Sequence, residues 1–426
     1  MRVHDNSHFI NASRTIGTLS LTCADSDTRP EVARIELAWE LGAGTGHFST
    51  LLPIGLKLKA RGHALRFHLR EHDVGRDLPG AHDIPRQGAP MWVGPTPFPN
   101  PVNYGEILIN FGYADRSQIE PLLAAWRERI AGADLVIANV APAALLAART
   151  LGVPALEISQ GFHIPPPVFP SPALREWEPA PLAKMEAADR HALAVINAML
   201  GAFGTAPLAT LGDLFLGRAM LLTYPELDTY PARGAAEYFG VVPTGEQGAN
   251  PVWPVGSGPR VFAYLYNYYV GLPNLLAAIA DLDVPALVFC RGIDPALKEK
   301  YRDPPIALSD APMSVAQVLP RADLVICHAS HQMTAQTLLA GKPLLLLPTQ
   351  VEQMLIARRV ERIGAGVAVA PVSPSSDFAL PLAILAEGKG HAECARAFAA
   401  RYGRLDRAAV LAGIANRCEQ RLASRP

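Results

Sequence analysis

The chain has 426 residues, half of them hydrophobic, and a formal net charge of −1. This length predicts two domains of ordinary size rather than one large core. The balanced charge excludes the strongly basic surface that nucleic acids and anionic membranes attract, and no apolar run approaches the roughly 20 residues that a membrane-spanning helix needs.

The cysteines are isolated in the sequence and odd in number: Cys23, Cys290, Cys327, Cys394 and Cys418. They form no C-x-x-C pair, which favours reduced thiols over a disulfide framework or a zinc site. The N-terminus lacks the apolar stretch of a secretory signal peptide. We therefore expect a cytoplasmic protein without nucleic-acid partners or a transmembrane segment. The sequence does not predict an oligomeric state.

Strand and helix patterns alternate through the first half of the chain. Residues 1–33 are polar and unpatterned, and are predicted to be an N-terminal extension. The strand-like segment ARIELAWEL follows, then a glycine-rich turn, a helix that ends near Gly62, and the alternating strand ALRFHL. The same order recurs at ADLVIAN, APAALLAARTLG and VPALEIS. Such units predict a parallel sheet with helices on both faces, here over residues 34–240.

A second α/β domain is predicted after a linker rich in Pro and Gly at residues 241–259. The strand–helix pattern restarts over residues 260–390, where RVFAYLY, PALVFCR, ADLVICH and PLLLLP read as strands. Residues 391–426 have helical periodicity and are expected to pack back toward the N-terminal domain. Two doubly wound, Rossmann-like sheets facing each other would leave a ligand cleft at the C-terminal ends of their strands.

The turn ELGAGTG (40–46) is typical of an S-adenosylmethionine-dependent methyltransferase, because it follows a first strand. A lone glycine pattern is not specific, however, and a methyltransferase does not need a second α/β domain. Glu71 is only loosely placed as the acidic ribose partner. Turn geometry alone also explains the glycines. A methyltransferase is therefore kept as an alternative hypothesis.

Two histidine-rich stretches look like metal sites at first sight. HLREH (68–72) matches the H-x-x-E-H zinc pattern, which requires a helix, but Leu65, Phe67 and Leu69 alternate as in a strand. HASH (328–331) has no further cluster of ligands beside it. The sequence therefore predicts no metal site.

The most informative stretch begins at His328. A strand ends at this histidine, and a small polar turn leads into a helix that carries Ser330 and Thr334 near its start. Free N–H groups and the positive end of a helix dipole favour an anion, and hydroxyl and imidazole groups add hydrogen-bond donors. The pattern therefore predicts a diphosphate site.

This stretch resembles the donor-binding signature of the UDP-glycosyltransferase superfamily, whose members have the GT-B fold of two facing Rossmann-like domains. The resemblance rests on HASHQMT (328–334), AGKP (340–343) and Glu352-Gln353 at matching spacing, and extends over most of residues 34–424. It implies an inverting, metal-independent hexosyltransferase without a cofactor. The donor would be a nucleotide-diphosphate sugar, with UDP favoured over TDP, and the acceptor a small hydroxylated molecule. The apolar segments of the N-terminal domain suit a lipophilic acceptor.

The resemblance also implies roles for individual residues. His47 occupies the position of the catalytic base, which takes a proton from the acceptor hydroxyl. Asn139 occupies the position of the aspartate that orients this histidine in the family. The donor would be bound by Gly46, His328, Ser330, Gln332, Met333, Thr334, Gln336, Glu352 and Gln353.

Three departures from the family pattern bear on activity. Asn139 can hold an imidazole by a hydrogen bond but cannot stabilise an imidazolium by charge. Gln336 stands where a glutamate commonly grips the donor ribose, which leaves uridine and thymidine open. The Trp and Pro-Gln that often cover the base are absent from residues 309–323, so base contacts are expected near Met313. A catalytically weak or inactive GT-B-like protein that binds sugar nucleotide or activates a partner enzyme is the second hypothesis. An epimerase of the same fold is a further one.

The acceptor pocket is expected in the N-terminal domain. We predict contributions from the Pro-rich loop HIPPPVFPSP (163–172) and from residues 176–217, which carry apolar side chains at helical spacing. A tyrosine cluster at the start of the second domain is equally compatible with cleft lining and with core packing. Its members are Tyr264, Tyr266, Tyr268 and Tyr269.

Overall fold

The computed structural model describes residues 32–242, 248–370, 373, 376–403 and 406–424. Except for Val32 and Ala33, the predicted extension 1–33 lies outside this part, and so does Cys23 with it. Residues 243–247 of the predicted linker lie outside it too. In the described part of the chain, every helix is too short or too polar to cross a membrane.

The N-terminal half forms a parallel six-stranded sheet. Its strands are β1 Arg34–Trp39, β2 Ala64–Leu69, β3 Arg86–Gly88, β4 Leu135–Asn139, β5 Ala155–Ser159 and β6 Ala219–Leu221. They lie in the order β3-β2-β1-β4-β5-β6. Trp39 is level with both Leu69 and Asn139, so the central strands end together. The loops that follow them therefore meet at one edge of the sheet.

Helices cover both faces of this sheet, which is why its central strands are buried on both sides. Leu37 and Trp39 pack with Phe48 on one face, while Ala38 packs with Trp126 on the other. The helices are α1 Thr45–Ala60, α2 Tyr104–Leu108, α3 Arg116–Ile130, α4 Pro142–Leu151 and α5 Leu182–Ala202.

The C-terminal half repeats the plan with a second parallel six-stranded sheet. Its strands are β7 Val261–Tyr266, β8 Ala286–Arg291, β9 Ile306–Ser309, β10 Leu324–Cys327, β11 Leu344–Leu346 and β12 Gly366–Ala368. Their order is β12-β11-β10-β7-β8-β9. The helices are α6 Leu272–Asp281, α7 Pro295–Lys300, α8 Val315–Val318, α9 His331–Leu339, α10 Val351–Ile363 and α11 Ala379–Glu387. Two α/β sheets of this kind confirm the predicted fold class.

The last two helices, α12 Lys389–Tyr402 and α13 Arg407–Ala423, contact different halves of the molecule. Phe398 of α12 packs into the core of the C-terminal sheet. In contrast, Ile414 and Cys418 of α13 belong to the core of the N-terminal sheet. Arg61, just after α1, binds Glu419 of α13 at 2.5 Å. The chain therefore returns to its first half at its end.

One buried arginine joins the two halves. Arg359 of α10 is 3% exposed, and its guanidinium donates to both carboxylate oxygens of Glu176 at 3.1 and 2.9 Å. It also donates to the backbone oxygens of Asp228 and Thr229 at 2.9 and 3.0 Å. This residue therefore fixes α10 against the N-terminal half.

We expect Arg359→Met to lower the free energy of unfolding by about 2–3 kcal/mol, because it leaves Glu176 and two backbone oxygens without their donors. Urea denaturation of the wild type and the variant measures this difference in the free energy of unfolding. Arg362→Met is the matched control, since Arg362 also binds Glu176 but is 58% exposed. An exposed pair contributes about 0–1 kcal/mol. Equal losses in the two variants would contradict a special role for Arg359.

Candidate active site

A cavity of about 750 Å³ opens where the C-terminal ends of both sheets face each other. Turns after β1, β5, β10 and β11 form most of its walls, together with Tyr264 and Tyr266 of β7. Among the residues that line it are Gly46, His47, His163, Tyr266, Ser330, His331 and Glu352. Sites of doubly wound sheets are expected at this edge, because the strand-to-helix turns expose side chains and free N–H groups there.

The turn from β1 to α1 requires glycine at two positions. Gly42 and Gly44 have φ of 80° and 90°, which side-chain-bearing residues rarely adopt. A Cβ atom on Gly42 would lie 2.4 Å from Nε2 of His47. The glycines of ELGAGTG therefore make room for a histidine in the first turn of α1. Gly46 lines the cavity beside it.

Asn139 orients the ring of His47. Asn139 is fully buried at the end of β4, and its side-chain oxygen lies 2.7 Å from Nδ1 of His47. Its amide nitrogen donates to the backbone oxygen of Ile158, so the oxygen must be the atom that faces His47. Nδ1 of His47 therefore carries the proton, and Nε2 is left as the basic atom.

The environment of His47 keeps the ring neutral. Burial lowers the pKa of His47 below its usual value, and the hydrogen bond to Asn139 offsets this only in part. The ring also stacks on Trp39 with 5.1 Å between centroids. A neutral imidazole with a free Nε2 can accept a proton at neutral pH, as a general base must.

A second imidazole, His163, lines the same cavity and was not predicted as a site residue. It lies edge-on to Phe162 at 4.8 Å, and its Nδ1 is buried without a hydrogen-bond partner among the described residues. Burial, with a smaller contribution from the neighbouring His47, lowers the pKa of His163 to about 3. It is therefore available as a neutral hydrogen-bonding group for a ligand.

Helix α9 presents its N-terminus to the cavity. Ala329 has φ of 56°, and Ser330 is the N-cap residue without a side-chain cap hydrogen bond. Ser330, Gln332, Met333 and Gln336, which were predicted to bind the donor, all line the cavity. The side-chain amide nitrogen of Gln332, Nε2, donates to Val242 O at 2.9 Å. The free N–H groups and the helix dipole make this end of α9 suitable for an anion.

Two predicted donor residues do not form part of the cavity wall. His328 is 2% exposed and stacks on Tyr266 at 4.4 Å. Its Nδ1 donates to Leu347 O at 2.8 Å, and its Nε2 accepts from the backbone N–H of Tyr266 at 3.0 Å. Thr334, in the first half of α9, is fully buried. In this arrangement His328 joins the loops after β7 and β11, and both of its ring nitrogens are occupied.

His331, in contrast, lines the cavity and was not predicted as a site residue. Its Nε2 lies 2.7 Å from the Thr223 hydroxyl, across the boundary between the two halves. Its Nδ1 has no hydrogen-bond partner among the described residues. Burial lowers the pKa of His331 to about 4, so the ring is neutral near pH 7.

The first turn of α10 carries the predicted acidic–Gln pair. Glu352 and Gln353 both line the cavity. The side-chain oxygen of Gln353 accepts from the backbone N–H and the hydroxyl of Thr349 at 2.8 and 2.9 Å, which fixes its orientation. Burial raises the pKa of Glu352 to about 7. Near neutral pH this carboxyl can therefore both donate and accept.

The tyrosine cluster divides between the two predicted roles. Tyr264 and Tyr266 line the cavity, and the ring of Tyr268, which is 68% exposed, stacks on Tyr266 at 5.0 Å. Tyr269 is buried against His328. Met313, near which base contacts were expected, is buried in the core of the C-terminal sheet and does not line the cavity.

Of the segments that were predicted to form the acceptor pocket, only one residue lines the main cavity. Of the Pro-rich loop 163–172, His163 reaches the main cavity, while Ile164 and the three prolines after it line a second cavity of about 320 Å³. Helix α5, within the predicted segment 176–217, packs its apolar side chains into the core instead. Its helical spacing therefore reflected burial.

The HLREH stretch is the end of a strand, as predicted. His68 lies on β2, fully buried, with Nε2 2.8 Å from Glu36 Oε2. His72 is exposed beside Asp73 at 3.0 Å, and Glu71 accepts from the backbone N–H of Gly44 at 3.1 Å. The two histidines therefore have separate surroundings and do not converge.

Two buried carboxyl groups lie beneath the site at the N-terminus of α4. Glu40 accepts from Ala143 N at 2.9 Å, and Glu157 accepts from Val140 N at 2.8 Å. Burial raises the pKa of both side chains to about 8. Both are therefore protonated at neutral pH in the folded protein.

This arrangement predicts a stability that depends on pH. Between their ordinary pKa near 4.5 and about 8, the unfolded chain releases two protons that the folded chain keeps. The free energy of unfolding should therefore fall as pH rises from 5 to 8, by up to about 1.4 kcal/mol per pH unit for each group. Urea denaturation of Glu157→Gln should show a smaller slope. An unchanged slope would contradict a protonated Glu157.

Comparisons with known proteins agree with this architecture, although no family model matches the chain. CalG4, a calicheamicin glycosyltransferase, superposes with a TM-score of 0.70 at 20% identity, covering 92% of this chain and 99% of CalG4. The chain has the GT-B fold. VinC, a glycosyltransferase in complex with dTDP, gives a TM-score of 0.61 at 16% identity, and the match covers 90% of this chain and 100% of VinC. The spinosyn rhamnosyltransferase SpnG, complexed with spinosyn aglycone, gives 0.57 at 17% identity, covering 90% and 99%.

One curated relative is similar over a short segment only. The NDP-glycosyltransferase YjiC of Bacillus subtilis (strain 168) is 43% identical over 51 residues, which is 12% of this chain and 13% of YjiC. The match therefore spans about an eighth of that relative. The GT-B fold differs from the fold of the methyltransferase alternative.

Proposed function

We propose that this protein is a glycosyltransferase that moves a sugar from a nucleotide-diphosphate sugar to a hydroxyl group of a small acceptor. The observation that carries the proposal is that His47, held by the buried Asn139, lines the same cavity as the first residues of α9. A base and an anion-binding helix end in one cavity are the two groups that such a transfer needs.

The reaction follows from these positions. Nε2 of His47 takes the proton from the acceptor hydroxyl while that oxygen attacks the anomeric carbon. The bond from this carbon to the diphosphate breaks, and the leaving group is stabilised by free N–H groups at the start of α9. Attack from the side opposite the leaving group gives inversion. No step of this proposed reaction is assigned to a metal ion.

On the donor side, Ser330, Gln332, Met333 and Gln336 would contact the nucleotide diphosphate, and Glu352 with Gln353 would hold sugar hydroxyls. His331 joins them, because its unpartnered Nδ1 can hydrogen-bond an anion. Both UDP and TDP are candidate carriers, and the dTDP complex of VinC supports including TDP.

On the acceptor side, His47, Phe162 and His163 would surround the nucleophile. A cavity of about 750 Å³ has room for a drug-sized molecule as well as a sugar. CalG4 is a calicheamicin glycosyltransferase, and SpnG is a spinosyn rhamnosyltransferase that was solved with spinosyn aglycone. These two similar structures support a lipophilic acceptor.

The test is a thermal-shift screen against nucleotide sugars, followed by a transfer assay with a panel of phenolic and aliphatic alcohols. Stabilisation by UDP- or TDP-sugars and a glycosylated product would support the proposal. Binding of S-adenosylmethionine and of neither nucleotide would overturn it. Tight binding without turnover would instead favour the second hypothesis, a sugar-nucleotide-binding protein, to which the uncharged Asn139 points.

A further inference from the structure

Three arginines converge at the edge of the N-terminal sheet that is opposite the cavity. Arg149 lies in the last turn of α4, Arg218 immediately precedes β6, and Arg421 lies in the last turn of α13. The charges of Arg149 and Arg421 both act on Arg218. No acidic side chain in the described part of the chain forms an ion pair with any of the three.

Each arginine has a buried N–H group that lacks a hydrogen-bond partner among the described residues. These groups are Nε of Arg149, Nη1 of Arg218 and Nε of Arg421. Polar hydrogens that are removed from water without a partner are costly, especially on charged groups. Three such groups on arginines at the same edge of the sheet indicate a ligand with several acceptor atoms.

Helix ends explain the arginines only in part. The negative end of a helix dipole favours a cation in the last turn, which suits Arg149 and Arg421. Arg149 also donates from Nη2 to Ala206 O at 3.1 Å. The buried N–H groups, however, form no hydrogen bond with a carbonyl oxygen of the described residues, and Arg218 is in no helix. Burial, followed by the two neighbouring charges, lowers the pKa of Arg218 to about 10, as expected for like charges without a counter-ion.

We propose that Arg149, Arg218 and Arg421 form a binding site for a phosphate-class oxyanion, separate from the cavity. Guanidinium groups match the geometry of phosphate oxygens and bind them through paired N–H groups. The anion would offset the mutual repulsion and fasten α13 to the N-terminal sheet. Free phosphate and the phosphoryl group of a larger molecule share this chemistry.

Thermal unfolding of the full chain in phosphate, and in chloride of equal ionic strength, tests the site. The wild-type midpoint should rise in phosphate by on the order of two degrees more than in chloride. Arg218→Gln and Arg421→Gln should lose this difference while unfolding in chloride at the same or a higher temperature, because a like-charge repulsion is removed. Arg116→Gln replaces an exposed arginine that is paired with Glu120, and it is the control. This variant should keep the difference between the phosphate and chloride midpoints.

The outcomes separate the possible occupants. A larger effect of glycerol 3-phosphate than of inorganic phosphate would assign the site to a phosphoryl group of a larger molecule, and equal effects to the free ion. Equal phosphate effects in wild type and Arg218→Gln would mean an adventitious ion only, and would overturn the proposal.

Discussion

Replacing His47 with alanine is expected to lower kcat for sugar transfer by about 100- to 10,000-fold, the range that a general base contributes. Its Nδ1 is bound to Asn139 at 2.7 Å, so Nε2 is the atom left to take the acceptor proton. Burial holds the pKa of His47 below its usual value, so the base form persists to lower pH than for an ordinary histidine. The loss should therefore appear at every pH at which the wild type is active.

Donor affinity should not change in the same variant, because the proposed donor contacts lie on α9 and α10. Calorimetric titration with a nucleoside diphosphate and kcat at saturating acceptor separate the two effects. His72→Ala is the matched control, since His72 is exposed and outside the cavity. Normal turnover by His47→Ala would place the base elsewhere. A parallel loss of donor binding would indicate damage to the fold.

The second large effect is expected for Asn139→Leu, which keeps the size of the side chain but removes both of its hydrogen bonds. His47 then loses the partner that fixes its tautomer, and Ile158 O loses its donor. We expect kcat to fall by about 10- to 100-fold, since a misoriented base costs a large part of its contribution. KM for the donor should stay near the wild-type value. Loss of donor binding instead of kcat would contradict the orienting role.

Asn139→Asp is the informative counterpart. An aspartate would add charge behind His47, as in the family that the sequence resembles, but it would also place a carboxylate oxygen against Ile158 O. It would enter a buried region that already contains Glu40 and Glu157. We therefore expect lower thermal stability and no gain in kcat. A faster enzyme would show that the amide nitrogen of Asn139 is not needed by Ile158.

The strands were predictable because buried strands appear in the sequence as short apolar runs. ADLVIAN contains β4 and ADLVICH contains β10, and the bounds of ALRFHL are those of β2. The first turn of α1 was predictable for a different reason, since only glycine satisfies φ near 80–90° beside an imidazole. Local rules of this kind act within a few residues, so they can be read from the chain.

The remaining parts of the site depend on contacts between distant residues. His328 ends a strand as predicted, yet the backbone of Tyr266 and Leu347 occupies its ring, and neither contact has a local signal. His163 and His331 enter the cavity because of how loops from both halves meet. The buried state of α5 was likewise hidden, since an apolar helical stripe looks the same on a pocket wall and in a core.

Helix α13 has a consequence for the synthesis of the protein. The core around β1 and α1 includes Ile414 and Cys418, which leave the ribosome after the whole C-terminal half. The first half therefore cannot complete its core when its own residues emerge, although N-terminal domains commonly fold first during synthesis. It must wait as an incomplete sheet until α13 arrives, so the first half to be synthesised completes its core late.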